Sequence, residues 1–298
     1  MPEISSSGPI LSETVSRLGE GPSYERETGT LWWFDILGKT LHERDLLSGQ
    51  ERHHQLPVMA SVIARIDDDR QMIATEEGLF VRNRNDGSLL AYCELEPGKP
   101  SNRSNDGRMH QSGSLWIGTM SKEDEDRAGA IYHVAGRQVT KLFGDISIPN
   151  SICFSPDGSI GYFVDTRVNR LMRVSVDPAT GLPNGPAEPI LDTSDQPGGM
   201  DGSVCDSKGN IWNARWGVGR VDCYAPDGKS LKSFALPALQ TSCPVFYGQD
   251  QNRLAVTSAW EGMGPDARNR DRFAGKVFSI AVAASGLPEP SFILSDGK

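Results

Sequence analysis

The segment at residues 101–120, S-N-R-S-N-D-G-R-M-H-Q-S-G-S-L-W-I-G-T-M, places a polar cluster directly before a short apolar run. The cluster contains Arg103, Asn105 and Asp106, and we expect it to form a loop. An S-G turn then leads into a predicted strand at residues 115–120. Polar side chains beside a short strand are a common way for β enzymes to hold a site on a rigid frame. The segment therefore predicts one strand of the fold and part of a site.

The same turn-and-strand unit recurs along the whole chain. Its equivalent apolar positions are Leu31, Met72, Leu115, Ile160, Ile211 and Leu254. The successive spacings are 41, 43, 45, 51 and 43 residues. Repeats of that length are typical of the four-stranded blades of a β-propeller, which usually has about four to eight of them. Six copies predict an all-β, six-bladed β-propeller.

Local composition favours strands over helices. Short β-branched or aromatic segments that roughly alternate stand at residues 171–176, 220–224 and 276–280. D-G pairs that favour tight turns stand at residues 86–87, 157–158, 227–228 and 296–297. The 32 glycines and 19 prolines leave little room for long helices.

One domain is predicted over residues 1–298, because the repeat continues across the best linker candidate, G-L-P-N-G-P-A-E-P at residues 181–189. We expect that segment to be a loop within a blade. A propeller must also close its ring. Pairing of residues 13–18 (E-T-V-S-R-L) with strands around residues 276–282 is one way to complete the last blade.

Composition and charge exclude several kinds of partner. A net charge of −9 argues against duplex nucleic acid or an anionic membrane, since both require a basic face. No run of 18 apolar residues and no secretory signal pattern is present. Five scattered cysteines without a C-x-x-C pair predict reduced thiols and a cytoplasmic protein. The oligomeric state stays open.

Four polar segments stand shortly before turn-and-strand units, and their key residues are Glu20, Asn105, Asn150 and Asp201. Each segment taken alone is most simply a turn. Their common place in the repeat predicts that all four open on one end of the propeller, around its axis. Two carboxylates and an amide oxygen meeting there form an all-oxygen site with a charge of about −2, which suits a hard divalent cation.

At these residues the chain resembles the regucalcin/gluconolactonase family, also called the senescence-marker-protein family. The matching motifs are G-E-G-P (19–22), R-S-N-D-G followed by S-L-W-I-G-T-M (103–120), P-N-S-I-C-F-S-P-D-G (149–158) and G-M-D-G (199–202). The match covers roughly residues 13–280. The resemblance implies six-bladed propellers that hydrolyse sugar lactones with one divalent metal ion.

The resemblance also implies roles for single residues. Glu20, Asn150 and Asp201 match the metal ligands, and Asp201 also matches the proposed general base. Residues matching the substrate contacts are Arg103, Asn105 and Glu123.

The chain departs from the family pattern at two positions. Ser151 replaces the glycine usual after the ligand asparagine, which raises a question about the backbone geometry there. His110 replaces a common aspartate, and we expect it to be a surface-turn change.

The predicted function is therefore metal-dependent hydrolysis of a sugar lactone to the aldonic acid. Calcium is the first choice of metal, and zinc, manganese and magnesium also accept oxygen ligands. A serine-esterase route lacks its G-x-S-x-G motif. Two alternatives remain open at this stage: a non-enzymatic, calcium-binding or regulatory propeller, and a metal-dependent esterase on the same fold. Neither gluconolactone nor another particular lactone follows from the sequence.

Overall fold

The computed structural model describes residues 4–5 and 9–295. Each predicted turn-and-strand unit forms the second strand of one antiparallel sheet, and six such sheets form a six-bladed β-propeller, as predicted. The expected turn at residues 296–297 lies outside the described residues.

The strands follow the blades in chain order. Blade 1 consists of β3 (Gly19–Glu25), β4 (Thr30–Asp35), β5 (Thr40–Asp45) and β6 (Glu51–Gln55). Blade 2 consists of β7 (Ala60–Arg65), β8 (Arg70–Thr75), β9 (Gly78–Asn83) and β10 (Leu89–Cys93). Blade 3 consists of β11 (Asn102–Met109), β12 (Leu115–Ser121), β13 (Gly129–Ala135) and β14 (Gln138–Ile146). Blade 4 consists of β15 (Pro149–Phe154), β16 (Ile160–Asp165), β17 (Arg170–Ser175) and β18 (Glu188–Asp192).

The last two blades each take a strand from the start of the chain. Blade 5 consists of β19 (Gly199–Cys205), β20 (Ile211–Trp216), β21 (Arg220–Tyr224) and β22 (Ser230–Ala235), with β1 (Ile4–Ser5) added parallel to β22. Blade 6 consists of β23 (Thr241–Tyr247), β24 (Arg253–Ser258), β25 (Val277–Ala281) and β2 (Ile10–Ser12).

The ring closes through an N-terminal strand, but not the one expected. Strand β2 pairs antiparallel with β25, with Ile10 opposite Phe278. The segment at residues 13–18, which was the expected partner, instead crosses from the outer edge of blade 6 to the inner strand β3. It contacts blade 6 through a bridge between Leu18 and Ala259 and through hydrogen bonds from Ser16 N to Gly275 O and from Trp260 N to Arg17 O. Glu13 also forms an ion pair with Lys276 of that blade. The predicted closure is therefore right in kind and wrong in its residues.

Apolar side chains between neighbouring sheets hold the blades together. Trp116 on β12 is fully buried against Ile152 of β15, and its Nε1 donates to Gly181 O at 2.8 Å. Burying such a side chain contributes about 3 kcal/mol. Gly181 belongs to the connection between β17 and β18, so that segment is a loop within a blade, as predicted. All five cysteines are free thiols, as predicted, and all of them lie in strands.

Helical structure is nearly absent from the described part of the chain, where α1 (Pro265–Arg270) is the one α-helix. Among the described residues, no helix has the length and apolar character needed to cross a membrane.

The innermost strand of every blade contains a β-bulge. The ladder to the second strand loses its regular register after Glu20, Ala60, Ser104, Asn150, Met200 and Thr241. A bulge inserts an extra residue and re-aims the side chains beside it. The four polar segments that we expected to be loops are therefore strands, namely the first halves of β3, β11, β15 and β19.

Candidate active site

A cavity of about 580 Å³ opens at one end of the propeller axis. Because neighbouring strands of a blade are antiparallel, the start of each innermost strand and the end of each second strand lie at the same end. The inner part of the wall comes from the starts of innermost strands: Leu18, Glu20, Met59, Arg103, Asn105, Ile148, Asn150 and Asp201. The outer part comes from the ends of second strands and the residues after them: Leu37, Met120, Ser121, Lys122, Asp124, Thr166, Trp216 and Glu261.

Five of the six predicted site residues line this cavity: Glu20, Arg103, Asn105, Asn150 and Asp201. The sixth, Glu123, is exposed and lies outside the lining, although its neighbours Lys122 and Asp124 belong to it. The structure thus brings residues from four blades to one place and leaves Glu123 on the rim outside.

The half-buried carboxyl group of Glu20 and the buried one of Asp201 dominate the electrostatics of the cavity. Burial, and then the negative charge of Asp106, raise the pKa of Glu20 to about 8. Burial, followed by the charges of Glu20 and Asp106, also raises the pKa of Asp201. The positive charge of Arg103 lowers the pKa of Glu20, but by less than burial raises it. Without a cation, this cluster of acids favours protonated carboxyls.

A chain of hydrogen bonds crosses three blades beneath the cavity and fixes the predicted ligand Asn150. Arg103 Nη1 donates to Asn105 Oδ1 at 2.8 Å, and Asn105 Nδ2 donates to Asn150 Oδ1 at 3.0 Å. At its other end, Asn150 Nδ2 donates to Thr166 Oγ1 at 2.8 Å, and that hydroxyl donates to Met200 O at 2.7 Å. A donor on one side and an acceptor on the other leave only one orientation for the amide.

These contacts also occupy most of the hydrogen-bonding capacity of Asn105. Its Nδ2 donates to Pro149 O as well as to Asn150 Oδ1, both at 3.0 Å, so both of its amide protons are used within the protein. Its Oδ1 keeps only the lone pair that Arg103 does not occupy. Asn105 therefore orients Asn150, and its contact with substrate stays a prediction that the remaining lone pair of Oδ1 could serve.

Asp106 lies inside β11 at the bulge, where we expected it to shape a turn. Its carboxylate accepts hydrogen bonds from Gly107 N at 2.9 Å and from Ile152 N at 2.7 Å, which joins blade 3 to blade 4. Burial raises its pKa to about 6. The N-D-G motif thus belongs to the wall between blades.

Several residues of the outer wall were not predicted from the sequence. Glu261 is the most important, because its charge acts on Glu20, Arg103 and Asp201. Thr166 and Trp216 are two more. The signal was available in the repeat, since each of these residues ends or closely follows the second strand of its blade. Nothing in a single repeat, however, marks that position as facing the axis.

The departures from the family pattern have structural explanations. His110 is fully buried, which contradicts the expected surface turn. Its Nε2 lies 2.9 Å from Gly158 O, and its Nδ1 accepts a hydrogen bond from Ser112 N at 3.1 Å, so the ring joins blade 3 to the turn of blade 4. Ser151 has a backbone φ of +56°, the left-handed conformation that glycine adopts most easily.

The donor set suits a hard divalent cation. Glu20 and Asp201 supply carboxylate oxygens, and the amide of Asn150 is held with its oxygen orientation fixed. Among residues 4–5 and 9–295, no three His, Cys, Asp or Glu side chains form a metal-holding group. A cation in this cavity would therefore need a further oxygen donor, which the Asn150 amide could supply. Oxygen ligands of this kind favour calcium, magnesium or manganese over softer metals.

Residues 18–260 match the model of the family described as the SMP-30/gluconolactonase/LRE-like region. The chain belongs to this family. The matched range contains all four motifs on which the resemblance was based, so the predicted family membership is confirmed.

Several relatives resemble this chain along nearly its whole length. A Rhizobium meliloti (strain 1021) protein, provisionally named a sugar lactone lactonase, is 54% identical over 97% of this chain and 98% of its own. The L-arabinolactonase of Azospirillum brasilense is 33% identical over 95% of this chain and 94% of its own. A crystal structure from Agrobacterium tumefaciens str. C58, described as a calcium-binding protein, regucalcin, superposes with a TM-score of 0.95. It is 54% identical and covers 97% of this chain and 98% of its own.

Proposed function

We propose that this protein hydrolyses a sugar lactone to the corresponding aldonic acid with the help of one divalent cation. The observation that carries the proposal is the convergence of Glu20, Asn150, Asp201 and Arg103 in one cavity. Two relatives that resemble this chain over nearly its whole length are named lactonases, which supports the reaction class.

Glu20, Asn150 and Asp201 are the proposed metal ligands. A cation bound there would polarise the lactone carbonyl and make a water molecule more acidic. Calcium is our first choice because all three ligands are oxygen donors and because the Agrobacterium relative is described as calcium-binding. Zinc, manganese and magnesium are the alternatives that a metal analysis must separate.

Asp201 is the proposed general base. A carboxylate oxygen of Asp201 takes a proton from the attacking water, and the C–O bond to the carbonyl carbon forms. When the ring C–O bond breaks, Asp201 returns that proton to the leaving ring oxygen. Asp201 is 5% exposed, so bulk water does not compete strongly for the proton. A positioned acid/base of this kind contributes about 10²–10⁴-fold to the rate.

Arg103 is the proposed substrate-binding group. Among the described residues, its side-chain hydrogen bonds all use Nη1, to Ser104 O and Asn105 Oδ1. Its remaining N–H groups can therefore bind a hydroxyl or carbonyl oxygen of the lactone and hold it for attack. Glu123, a predicted contact outside the lining, requires a movement of the segment around Lys122 to reach the substrate.

A panel of aldonolactones tests this proposal. The purified protein is stripped with a chelator, and acid release is followed with a pH indicator before and after calcium, magnesium, manganese or zinc is added. Turnover that disappears with chelator and returns with one metal is the expected result. No turnover of any lactone, together with tight calcium binding, would instead favour a calcium-binding propeller.

The same panel includes a phenyl ester, because the alternative of a metal-dependent esterase predicts its hydrolysis. If the phenyl ester is cleaved much faster than every lactone, the substrate class is wrong although the site is right. Metal analysis of protein purified without added salts then identifies the ion that it carries.

The five free cysteines support a cytoplasmic location as part of this proposal, because thiols stay reduced there.

A further inference from the structure

Ser151 combines full burial with an unfavourable backbone conformation. Its φ of +56° lies in the left-handed region, which costs a non-glycine residue about 1–2 kcal/mol. Such a conformation persists only where the surroundings hold it in place. Ser151 directly follows the proposed ligand Asn150, so whatever holds it also affects the metal site.

The hydroxyl of Ser151 forms the contact that explains this conformation. Its Oγ donates to the main-chain oxygen of Asp201 at 2.5 Å, which joins blade 4 to blade 5. The same Oγ accepts hydrogen bonds from Ser203 Oγ and Asn213 Nδ2, both at 3.1 Å. Asn213 Nδ2 also donates to Asp201 O at 2.9 Å. All of the side chains in this network are buried, so water does not substitute for the Ser151 hydroxyl.

Blade 1 offers a direct comparison. Gly21 follows the proposed ligand Glu20 and has a φ of +55°, the same conformation as Ser151. A Cβ at Gly21 would lie only 1.9 Å from Ser61 O on the neighbouring blade, so no side chain fits there. At Ser151 the corresponding carbonyl is that of Asp201, and a side chain fits between the strands and bonds to it. A serine side chain thus bridges the innermost strands of blades 4 and 5, where the space between blades 1 and 2 admits none.

We propose that Ser151 is a positioning residue of the metal site, whose hydroxyl fixes the main chain of Asp201 relative to Asn150 and so sets the distance between these two ligands. The inference rests on the proposed function only in that Asn150 and Asp201 bind the cation. Ser151 itself touches neither substrate nor metal. Its removal should weaken metal binding without unfolding the protein.

The test compares Ser151→Gly and Ser151→Ala with a matched control, Ser61→Ala. Glycine accepts the left-handed backbone, so Ser151→Gly loses the hydroxyl but also the strain, and it should fold. Alanine keeps the strain without the hydrogen bond, so Ser151→Ala should melt at a lower temperature. Ser61 is also buried on an innermost strand, but its Oγ donates to Ser104 Oγ, which does not belong to a proposed ligand.

Three measurements are made on chelator-treated protein: the Kd for Ca²⁺ and for Mn²⁺ by titration calorimetry, the electron paramagnetic resonance spectrum of bound Mn²⁺, and the Tm without metal. We expect Ser61→Ala to bind both ions as the wild type does. Both Ser151 variants should bind them roughly tenfold more weakly, the effect of one lost hydrogen bond. The Mn²⁺ spectrum should also change, because the ligand geometry has relaxed.

The possible failures can be told apart. If the wild type binds neither ion, the proposed metal site is wrong and the role of Ser151 is wrong with it. If the wild type binds and Ser151→Gly binds equally tightly with an unchanged spectrum, only the role of Ser151 is overturned. Equal weakening by Ser61→Ala would also overturn it, since any buried hydroxyl would then have the same effect.

Discussion

Asp201 carries the largest share of the proposed chemistry, because it is both an oxygen ligand and the base. The change Asp201→Asn keeps the size of the side chain and removes its charge and its capacity to accept a proton. We expect kcat for the best lactone to fall by about 10²–10⁴-fold at saturating metal. Steady-state kinetics over the lactone panel measure the effect.

Asp222→Asn is the matched control for that variant. Asp222 is a buried aspartate on β21, where it accepts hydrogen bonds from Ser233 Oγ at 2.6 Å and Arg220 Nε at 3.0 Å. It lies outside the cavity lining. The control should lower the Tm and leave kcat nearly unchanged. Full activity of Asp201→Asn on every lactone would show that another group is the base.

Thr166 offers a second prediction for a single side chain. The change Thr166→Val removes the hydroxyl that accepts from Asn150 Nδ2, so the amide loses the contact that fixes its orientation. We expect the Kd for calcium to rise by roughly tenfold. Thr166→Ser keeps the hydroxyl and should bind calcium as the wild type does. Equal binding by the valine variant would mean that Asn105 alone orients the amide.

The sequence predicted the polar residues of the cavity better than their tasks. Glu20 could be recognised because it lies between two glycines, and Asp201 because it lies in a glycine-rich segment at the same place in the repeat. The burial of His110 and the contact of Asn105 with Asn150 could not be predicted, because both depend on partners in the next blade, Gly158 and Asn150. Such contacts join positions about 45 residues apart, and spacing within one repeat does not reveal them.

The innermost strands, each with its bulge, are the elements that build the site. Gly21 shows how closely they approach, since a Cβ there would meet Ser61 O at 1.9 Å. We expect Gly21→Ala to destabilise the protein by about 3 kcal/mol or more, because left-handed strain and a backbone clash add together. Equilibrium unfolding in urea measures the difference in free energy.

Gly29→Ala is the control that measures the left-handed backbone strain without the clash. Gly29 also has a positive φ, +68°, but nothing lies within 4 Å of a Cβ placed on it. Its replacement should cost only about 1 kcal/mol. If the two variants are equally destabilised, the approach of blades 1 and 2 is looser than these distances imply.

The same elements explain why loops were predicted where strands occur. Glycine, proline and asparagine in G-E-G-P and P-N-S are typical of turns, and turn chemistry was a reasonable interpretation. In the structure these residues occupy bulges inside β3 and β15, where a strand also needs unusual backbone angles. Local composition identifies the irregular backbone, but it does not distinguish a bulge from a loop. The second strands, with regular alternation and a constant period, were predicted correctly.

For the whole molecule, the repeat length was sufficient to predict six blades and the closed ring. The exact closing strand was not predictable, because β2 contributes only Ile10–Ser12 and pairs with a strand more than 260 residues away. A three-residue strand carries almost no periodic signal. Closure of the ring nevertheless brings β23 against β3, which completes the wall around the cavity.

Stability of the metal-free protein should depend on pH because the ring buries several acids together. The pKa of Glu20 is raised from 4.5 to about 8 and that of Asp106 from 3.8 to about 6, while that of Asp201 is also raised. A folded acid with a raised pKa keeps a proton that the unfolded chain has already released. Its contribution to stability is therefore complete below the unfolded pKa and is lost as the pH rises through the folded pKa.

Buried histidines change the stability in the opposite direction and at lower pH. Burial lowers the pKa of His42 to about 4, and it also lowers the pKa of His110 and His133. These groups make the fold more stable as the pH rises toward about 6.5, the ordinary histidine value. Above that pH their effect is complete. The window from about pH 6.5 to pH 8 therefore reports mainly on Glu20, whose folded pKa is about 8.

We expect the Tm of chelator-treated protein to fall across this window. Added calcium should raise the Tm more at about pH 8 than at about pH 6.5, because the cation binds the deprotonated carboxylates and competes with protons at the lower pH. Asp201→Asn should reduce both effects, whereas Asp222→Asn should preserve them. Scanning calorimetry with and without calcium at matched ionic strength measures the difference. A calcium-induced shift that is equal at both pH values would show that Glu20 and Asp201 are not the groups that exchange a proton for the ion.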